Sequence, residues 1–416
     1  MAPYDTEQSS TNAAKTSVPP PNVYDAEAIP EAARAEIDRL LASGDLFRYT
    51  APVDAPVTLL EAEFAELLGA KYALAVSSCS AALFLSLRAL GLSEGARVLI
   101  PAFTFAAVPS AVVHAGCQPV LVEVDATYRI DLKDFKAKLT GEIEAVIISH
   151  MRGHTSDMDA IMALCEARGV PVVEDAAHSL GTTWNGRNIG TLGRVGCFSF
   201  QSYKLVNAGE GGIMVSDDAD LIARAIIMSG AYEHTWKKHR IVAEAVERWQ
   251  NELPLYNLRL QNLSAAVIRP QLPEVARRVR DGRSNHDYVA AALNASPFLH
   301  VPGPLGPEAR APDSIQFNLV DFDDDAEARA FAKAAEARGV KVQIFGLSTD
   351  NARAFWNWRF IPGEVPDLPN TRAMLMRACD VRLPARLKKP ELDAVIAILL
   401  DALAEVKGPA ATSSPA

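Results

Sequence analysis

Residues 97–124 read RVLIPAFTFAAVPSAVVHAGCQPVLVEV, and this stretch decides the fold. An apolar run at Arg97–Ile100 is followed by the helical pattern FAAVPSAVVHAG and then by a second apolar run at Pro119–Val124. Strand, helix, strand is a βαβ unit. The strands are apolar at consecutive positions, as expected of a mostly parallel sheet covered by helices on both faces.

The same rhythm extends outward. Further strands are expected at Tyr72–Val76, Ala145–Ile148, Pro171–Glu174, Val195–Phe200 and Gly212–Val215, with helical patterns SAALFLSLRALG and SDMDAIMALCEARG between some of them. The architecture expected is α/β, a mostly parallel seven-stranded sheet sandwiched by helices, with its ligand outside the carboxyl ends of the strands. Upstream, IPEAARAEIDRLLASG has helical spacing at Ile29, Ala33, Ile37 and Leu41 and stops at Gly44; VTLLEAEFAELLG stops at Gly69. Past residue 265 comes a long Arg-rich amphipathic stretch. Strands are then expected in SIQFNLVDF and VKVQIFG, and helices in AEARAFAKAAEARG and ELDAVIAILLDALAEV. The division expected is a disordered tail over 1–24, a large domain over 25–265, a smaller α+β C-terminal domain over 266–408 and a frayed tail over 409–416.

The chain has 416 residues, enough for a large and a small domain. Lys and Arg number 41 and Asp and Glu 51, a net charge of −10, with no basic cluster to bind nucleic acid. Cys79, Cys117, Cys165, Cys197 and Cys379 are scattered and lack metal-ligand spacing, so five reduced thiols in a cytoplasmic protein and no metal are expected. The N-terminus lacks a signal-peptide core, and no apolar run reaches the ~18 residues that span a membrane.

Four segments carry candidate chemistry. PVVEDAAHSLG puts Asp175 at a strand's carboxyl end, either to cap a following helix or to pair with a cation such as a protonated pyridine nitrogen. CFSFQSYKLVNAGEGG puts Lys204 between a strand and a Gly-rich turn, as a surface lysine or as an amine held for Schiff-base chemistry. AVSSCSAALFLSLRALG opens a helix on Ser78, Cys79 and Ser80, a plain N-cap or a phosphate cradle. In PAFTF, Phe103 and Phe105 flank Thr104, for core packing or for stacking on a flat ring. All four fall at one edge of one sheet, in one order.

In that order the segments resemble the DegT/StrS group of fold-type-I pyridoxal-phosphate enzymes, the sugar aminotransferases. The likeness runs from about Ile29 to Leu403 through SSCSAAL at Ser77–Leu83, PAFTF, EDAAHSLG, SFQSYKLVNAGEGG and LYNLRLQNLSAA at Leu255–Ala266. Cys79 stands where the family often has Gly. The resemblance implies pyridoxal 5'-phosphate as cofactor, with Lys204 forming the Schiff base and moving the proton, and Asp175 on the pyridine nitrogen. It also implies His178 near the ring (or a satisfied histidine on a helix), Phe105 on the ring face, and Ser78, Cys79, Ser80 and Ser199 around the phosphate. Asn257 would reach the phosphate across the interface of a homodimer with shared active sites. The activity implied is transfer of an amino group from L-glutamate or L-glutamine to a keto or aldehyde carbon of a sugar or sugar-like acceptor.

One segment departs from the family. Where an aromatic and a Gly are usual after the fourth strand, this chain has HMRGHTSDMD, so Arg152 and His154 are candidate substrate residues. Arg152 would clamp a carboxylate or pair with Asp157 or Asp159. The loop around Arg48 and Tyr49, and NWRF near Trp356–Phe360, are candidate lining of the acceptor pocket. The rival readings are a pyridoxal-phosphate enzyme of the same fold with other chemistry, such as an aldolase or decarboxylase, and a non-catalytic regulator. A dinucleotide-binding dehydrogenase would need a GxGxxG after a strand, which is missing.

Overall fold

In the computed structural model, Arg97–Pro101 and Gln118–Val122 are adjacent parallel strands joined by the helix Ala107–His114. The structure describes residues 19–50, 53–239, 241 and 243–408. The tails expected over 1–18 and 409–416 lie outside these residues. Of the rest of the expected N-terminal tail, Val23 is buried at 7% exposure in a core cluster.

All seven expected strands join one sheet. They are β1 (Tyr72–Val76), β2 (Arg97–Pro101), β3 (Gln118–Val122), β4 (Ile143–Ser149), β5 (Val172–Asp175), β6 (Val195–Ser199) and β7 (Gly212–Ser216), in the order β1-β7-β6-β5-β4-β2-β3. β7 runs antiparallel to both neighbours, and the pairings from β6 to β3 are parallel. Consecutive apolar residues face opposite sides: Val98 and Ile100 pack into one core cluster, Leu99 into another. That two-sided burial is why the strand sequences are solidly apolar.

The expected helices frame this sheet. Ala32–Ser43 and Pro56–Leu68 end on Gly44 and Gly69, whose φ values of 75° and 74° suit glycine and stop the helical ladder. The first helix buries Ala33 and Leu40 rather than the full Ile29-to-Leu41 face, and Leu41 is exposed. The helix Cys79–Leu90 starts directly after β1 at the sheet's ligand edge.

A second, wholly antiparallel sheet holds β8 (Leu299–His300), β9 (Ser314–Leu319), β10 (Gln343–Ile344) and β11 (Ala378–Arg382), in the order β8-β9-β11-β10. The helix Val275–Leu293 leads into it, and Asp325–Ala337 and Lys389–Lys407 cover it over a third apolar cluster. β11 has no counterpart in the sequence reading. Its pattern ACDVR sends Cys379 and Val381 into the core, while Asp380 and Arg382 break the apolar run. Among the described residues, no helix is long and apolar enough to cross a membrane.

Candidate active site

Asp175 ends β5 at 7% exposure, beside Ser149 of β4 and Cys197 of β6. Its Oδ2 accepts the Ser149 hydroxyl at 2.9 Å, and Ser149 Oγ in turn accepts the Thr104 hydroxyl at 2.8 Å. Its Oδ1 accepts the Ala177 N–H at 3.1 Å and the Cys79 thiol at 3.8 Å. Burial and the neighbouring Asp175 push the Cys79 pKa well up, so the thiol keeps its proton to donate. Turns rather than a helix follow Asp175, so helix capping does not account for it. The preceding residue, Glu174, faces the other way and accepts N–H bonds from Gly190, Leu192 and Gly193, with His150 Nε2 at 3.1 Å. Strand alternation thus makes one acid a loop anchor and presents the other to the ligand edge.

Lys204 leaves the loop after β6, its N–H bonded to the Gln201 carbonyl at 2.8 Å. Its Nζ lies 2.9 Å from His178 Nε2 and 3.5 Å from Nδ1. Burial and the charges of Lys204, Arg152, Arg353 and Arg382 push the His178 pKa well down, so its ring is neutral and can accept from the ammonium. Burial, helped by Arg152 and opposed by Asp313 and Asp175, lowers the Lys204 pKa to about 8. An amine so poised sheds its proton far more easily than a surface lysine.

Ser78 caps the helix Cys79–Leu90, its Oγ accepting the Ala81 N–H at 3.0 Å, and Ser80 is exposed on the first turn. β7 runs hard against this turn. A Cβ on Gly212 would fall 2.2 Å from the Ser78 carbonyl carbon and 2.4 Å from the Cys79 nitrogen. The two phenylalanines of PAFTF separate: Phe103 is 1% exposed in the core, whereas Phe105 is 45% exposed.

Apart from Tyr49, His154 and Asn257, and from Arg48 and the NWRF segment expected at the acceptor pocket, the expected site residues line one cavity of about 570 Å³. That suits a small-molecule site, which spans roughly 300–1,000 Å³. The Tyr49 hydroxyl is 2.8 Å from His239 Nε2, inside a buried group in which Arg48 donates to both Glu61 oxygens at 2.7 and 2.9 Å. His154 is 3.0 Å from Gln316 Oε1 and tilts against Tyr128. Neither side chain lines the cavity, and the Tyr49 hydroxyl and His154 Nε2 are engaged by these partners. Asn257 is exposed. Arg152 does line the cavity, but its partner is Asp380 of β11 at 2.6 Å, not Asp157 or Asp159. Asp157 caps the next helix and Asp159 accepts from Asn185. Arg152 sits at φ 56°, a left-handed conformation uncommon outside glycine.

A known family matches this arrangement over most of the chain: the model of the DegT/DnrJ/EryC1/StrS aminotransferase family covers residues 30–400. The chain belongs to that family. Among its relatives, the spore coat polysaccharide biosynthesis protein SpsC of Bacillus subtilis is 34% identical over 60% of this chain and 64% of SpsC. GDP-perosamine synthase of Vibrio cholerae is 33% identical over 57% of this chain and 62% of its own. The chain thus spans less than two thirds of the length of these curated relatives. Among solved structures, the aminotransferase TlmJ of Streptoalloteichus hindustanus superposes with a TM-score of 0.79 at 26% identity, covering 92% of this chain and 98% of TlmJ.

This DegT-family cavity also takes in residues the sequence reading passed over. Arg353 lies in the loop just before the NWRF segment, while Asp380 and Arg382 come from the strand that was not foreseen. Tyr203, next to the lysine, and Tyr24, well upstream of the family match, face each other edge to face with ring centroids 6.2 Å apart. The segment carrying Tyr24 is tied down by the residues that follow it. Arg386 donates to the Asp25 carbonyl at 3.0 Å, and Glu27 pairs with Arg277 and Arg278 at 2.8 and 2.9 Å.

Proposed function

We propose that this chain is a pyridoxal-phosphate-dependent aminotransferase. It would take the amino group of L-glutamate or L-glutamine and pass it to a keto or aldehyde carbon of a sugar or sugar-like acceptor. One observation carries the reading: an amine of lowered pKa, Lys204, and a buried strand-end carboxylate, Asp175, line the same cavity. GDP-perosamine synthase and SpsC, with sugar and polysaccharide in their names, support a sugar acceptor.

The residues present fit the cofactor. Asp175 accepts three donors, while an ionised carboxylate offers about four acceptor positions, so one remains for a pyridinium N–H. The exposed ring of Phe105 is free to cover a flat group. The first turn of Cys79–Leu90, with Ser80 and with Ser199 nearby, offers N–H and O–H donors to a phosphate. The Ser78 oxygen accepts the Ala81 N–H, which leaves its O–H free to donate. When bound, the cofactor supplies an electron sink for the carbon that loses its proton.

The chain's own residues do the rest. Ser149, Ala177 and Cys79 fix the Asp175 carboxylate, which would hold the pyridine N–H. Lys204 would hold the cofactor, and its amine of lowered pKa would take up and return the proton that the chemistry moves. His178, neutral and 2.9 Å from the Lys204 amine, orients that amine. Residues 25–265 would form the cofactor domain and 266–408 the smaller domain closing over it. The working unit would be a cytoplasmic homodimer in which the partner's exposed Asn257 completes the phosphate site.

Lys204→Ala tests this. The purified wild type is expected to turn yellow with pyridoxal phosphate and to lose that absorbance on addition of L-glutamate or L-glutamine; the variant should do neither and show no turnover. Retained transamination in the variant, or a colourless wild type, would sink the reading.

A further inference from the structure

The cavity holds more positive charge than the proposed chemistry uses. Beside Lys204 and Asp175 it is lined by Arg152, Arg353, Arg382 and Lys341, against Asp380 and Glu210. Asp380 is already engaged on both oxygens, with Arg152 at 2.6 Å and the Gln316 amide at 2.7 Å. Arg382 lies over the Tyr203 ring and donates to the Tyr203 carbonyl at 3.2 Å. Arg353 differs from both. Among the described residues its guanidinium has no carboxylate or carbonyl partner, and its central carbon lies 5.5 Å from the Phe105 centroid and 5.9 Å from that of Phe345. The Nε atoms of Arg152, Arg353 and Arg382 are each buried without a hydrogen-bond partner, and Arg152 as a whole is 6% exposed. Burial and the Arg152 charge, opposed by Asp380, lower the Arg353 pKa to about 10.

Arg353 is partly buried, and a guanidinium desolvated without a hydrogen-bonded anion gains from a ligand that supplies one. We propose that Arg353, backed by Arg152, is the carboxylate-binding subsite of this cavity. This rests on the aminotransferase reading for the identity of the ligand, not for its charge. The planar fork of one free guanidinium, set between two aromatic rings, matches the two in-plane oxygens of a carboxylate. A phosphate has a better-furnished place at the helix N-terminus. Two substrates could bring the carboxylate, the amino-acid donor or an acceptor that is a sugar acid.

Calorimetric titration of the cofactor-loaded protein separates them, with glutarate as the donor skeleton, 5-keto-D-gluconate as a sugar acid, D-fructose as a neutral control and inorganic phosphate. The wild type should bind at least one of the two carboxylates more tightly than fructose or phosphate. Arg353→Met should weaken that carboxylate at least about tenfold, as for loss of a charge-assisted hydrogen bond, and leave fructose unchanged. Arg353→Lys should recover part of the loss, which a misfolded protein would not. Weakened glutarate identifies the donor, weakened ketogluconate the acceptor, and both a shared subsite. The proposal is overturned if Arg353→Met changes neither carboxylate more than twofold, if phosphate outcompetes both, or if wild type binds neither. These titrations need no turnover. A protein that binds glutarate through Arg353 yet fails to react with L-glutamate or L-glutamine would end the aminotransferase reading and leave the subsite standing.

Discussion

Lys204 is the residue on which a pH experiment bears most directly. A free lysine titrates at 10.5, and burial brings this one to about 8, so its amine becomes neutral as pH rises through 8. The rate at which cofactor-free protein takes up pyridoxal phosphate should therefore climb with a midpoint near pH 8, followed by the growth of visible absorbance. A midpoint above 10 would mean that the amine is solvated. Lys204, Asp175 and Phe105 were legible beforehand because each sits in a short motif whose neighbours fix its place at a strand end. Arg353 was not. It lies in an irregular loop, and it stands out by lacking a hydrogen-bonded acid, which only the three-dimensional arrangement reveals. Arg152 was noticed, but its partner is 228 positions away on Asp380, while the acids close to it in sequence are spent on local bonds.

At the scale of elements, the contact between β7 and the helix Cys79–Leu90 holds the proposed phosphate turn against the sheet. Gly212→Ala would drive a methyl group into the Ser78 and Cys79 backbone at 2.2–2.5 Å, atoms with no rotamer to escape through. The expected outcome is a loss of about 1–3 kcal/mol in denaturant unfolding, as for overpacking elsewhere, together with weakened cofactor affinity. Unchanged affinity would mean that the turn does not hold the cofactor. The seven strands of the large sheet were readable because two-sided burial writes itself as solid Val, Ile and Leu. β11 was hidden because one of its faces carries Asp380 and Arg382 toward the cavity, whereas VKVQIFG was read as a strand and forms one over Gln343–Ile344. The face of Ala32–Ser43 was misjudged by one position: Leu40 is buried and Leu41 is not.

For the whole molecule, the proposed sharing of sites between two copies would have a measurable consequence. Lys204→Ala and Asn257→Asp should each be nearly inactive alone. Mixed and re-equilibrated, they should regain roughly a quarter of wild-type activity, because half the pairs are hybrids and each hybrid assembles one intact site out of two. No recovery on mixing would mean that Asn257 acts within its own subunit or not at all. Nothing in the isolated chain draws attention to Asn257, which is exposed, and the resemblance alone suggested it. The upstream stretch around Tyr24 teaches the opposite lesson. Family likeness starts at residue 30, yet Tyr24 stands in the cavity wall, anchored through Asp25 and Glu27. Two proteins with interchangeable catalytic cores could therefore admit different guests purely through their leading strands of chain. Grafting that leader from one relative onto another is then a route to altered selectivity that leaves the chemistry untouched.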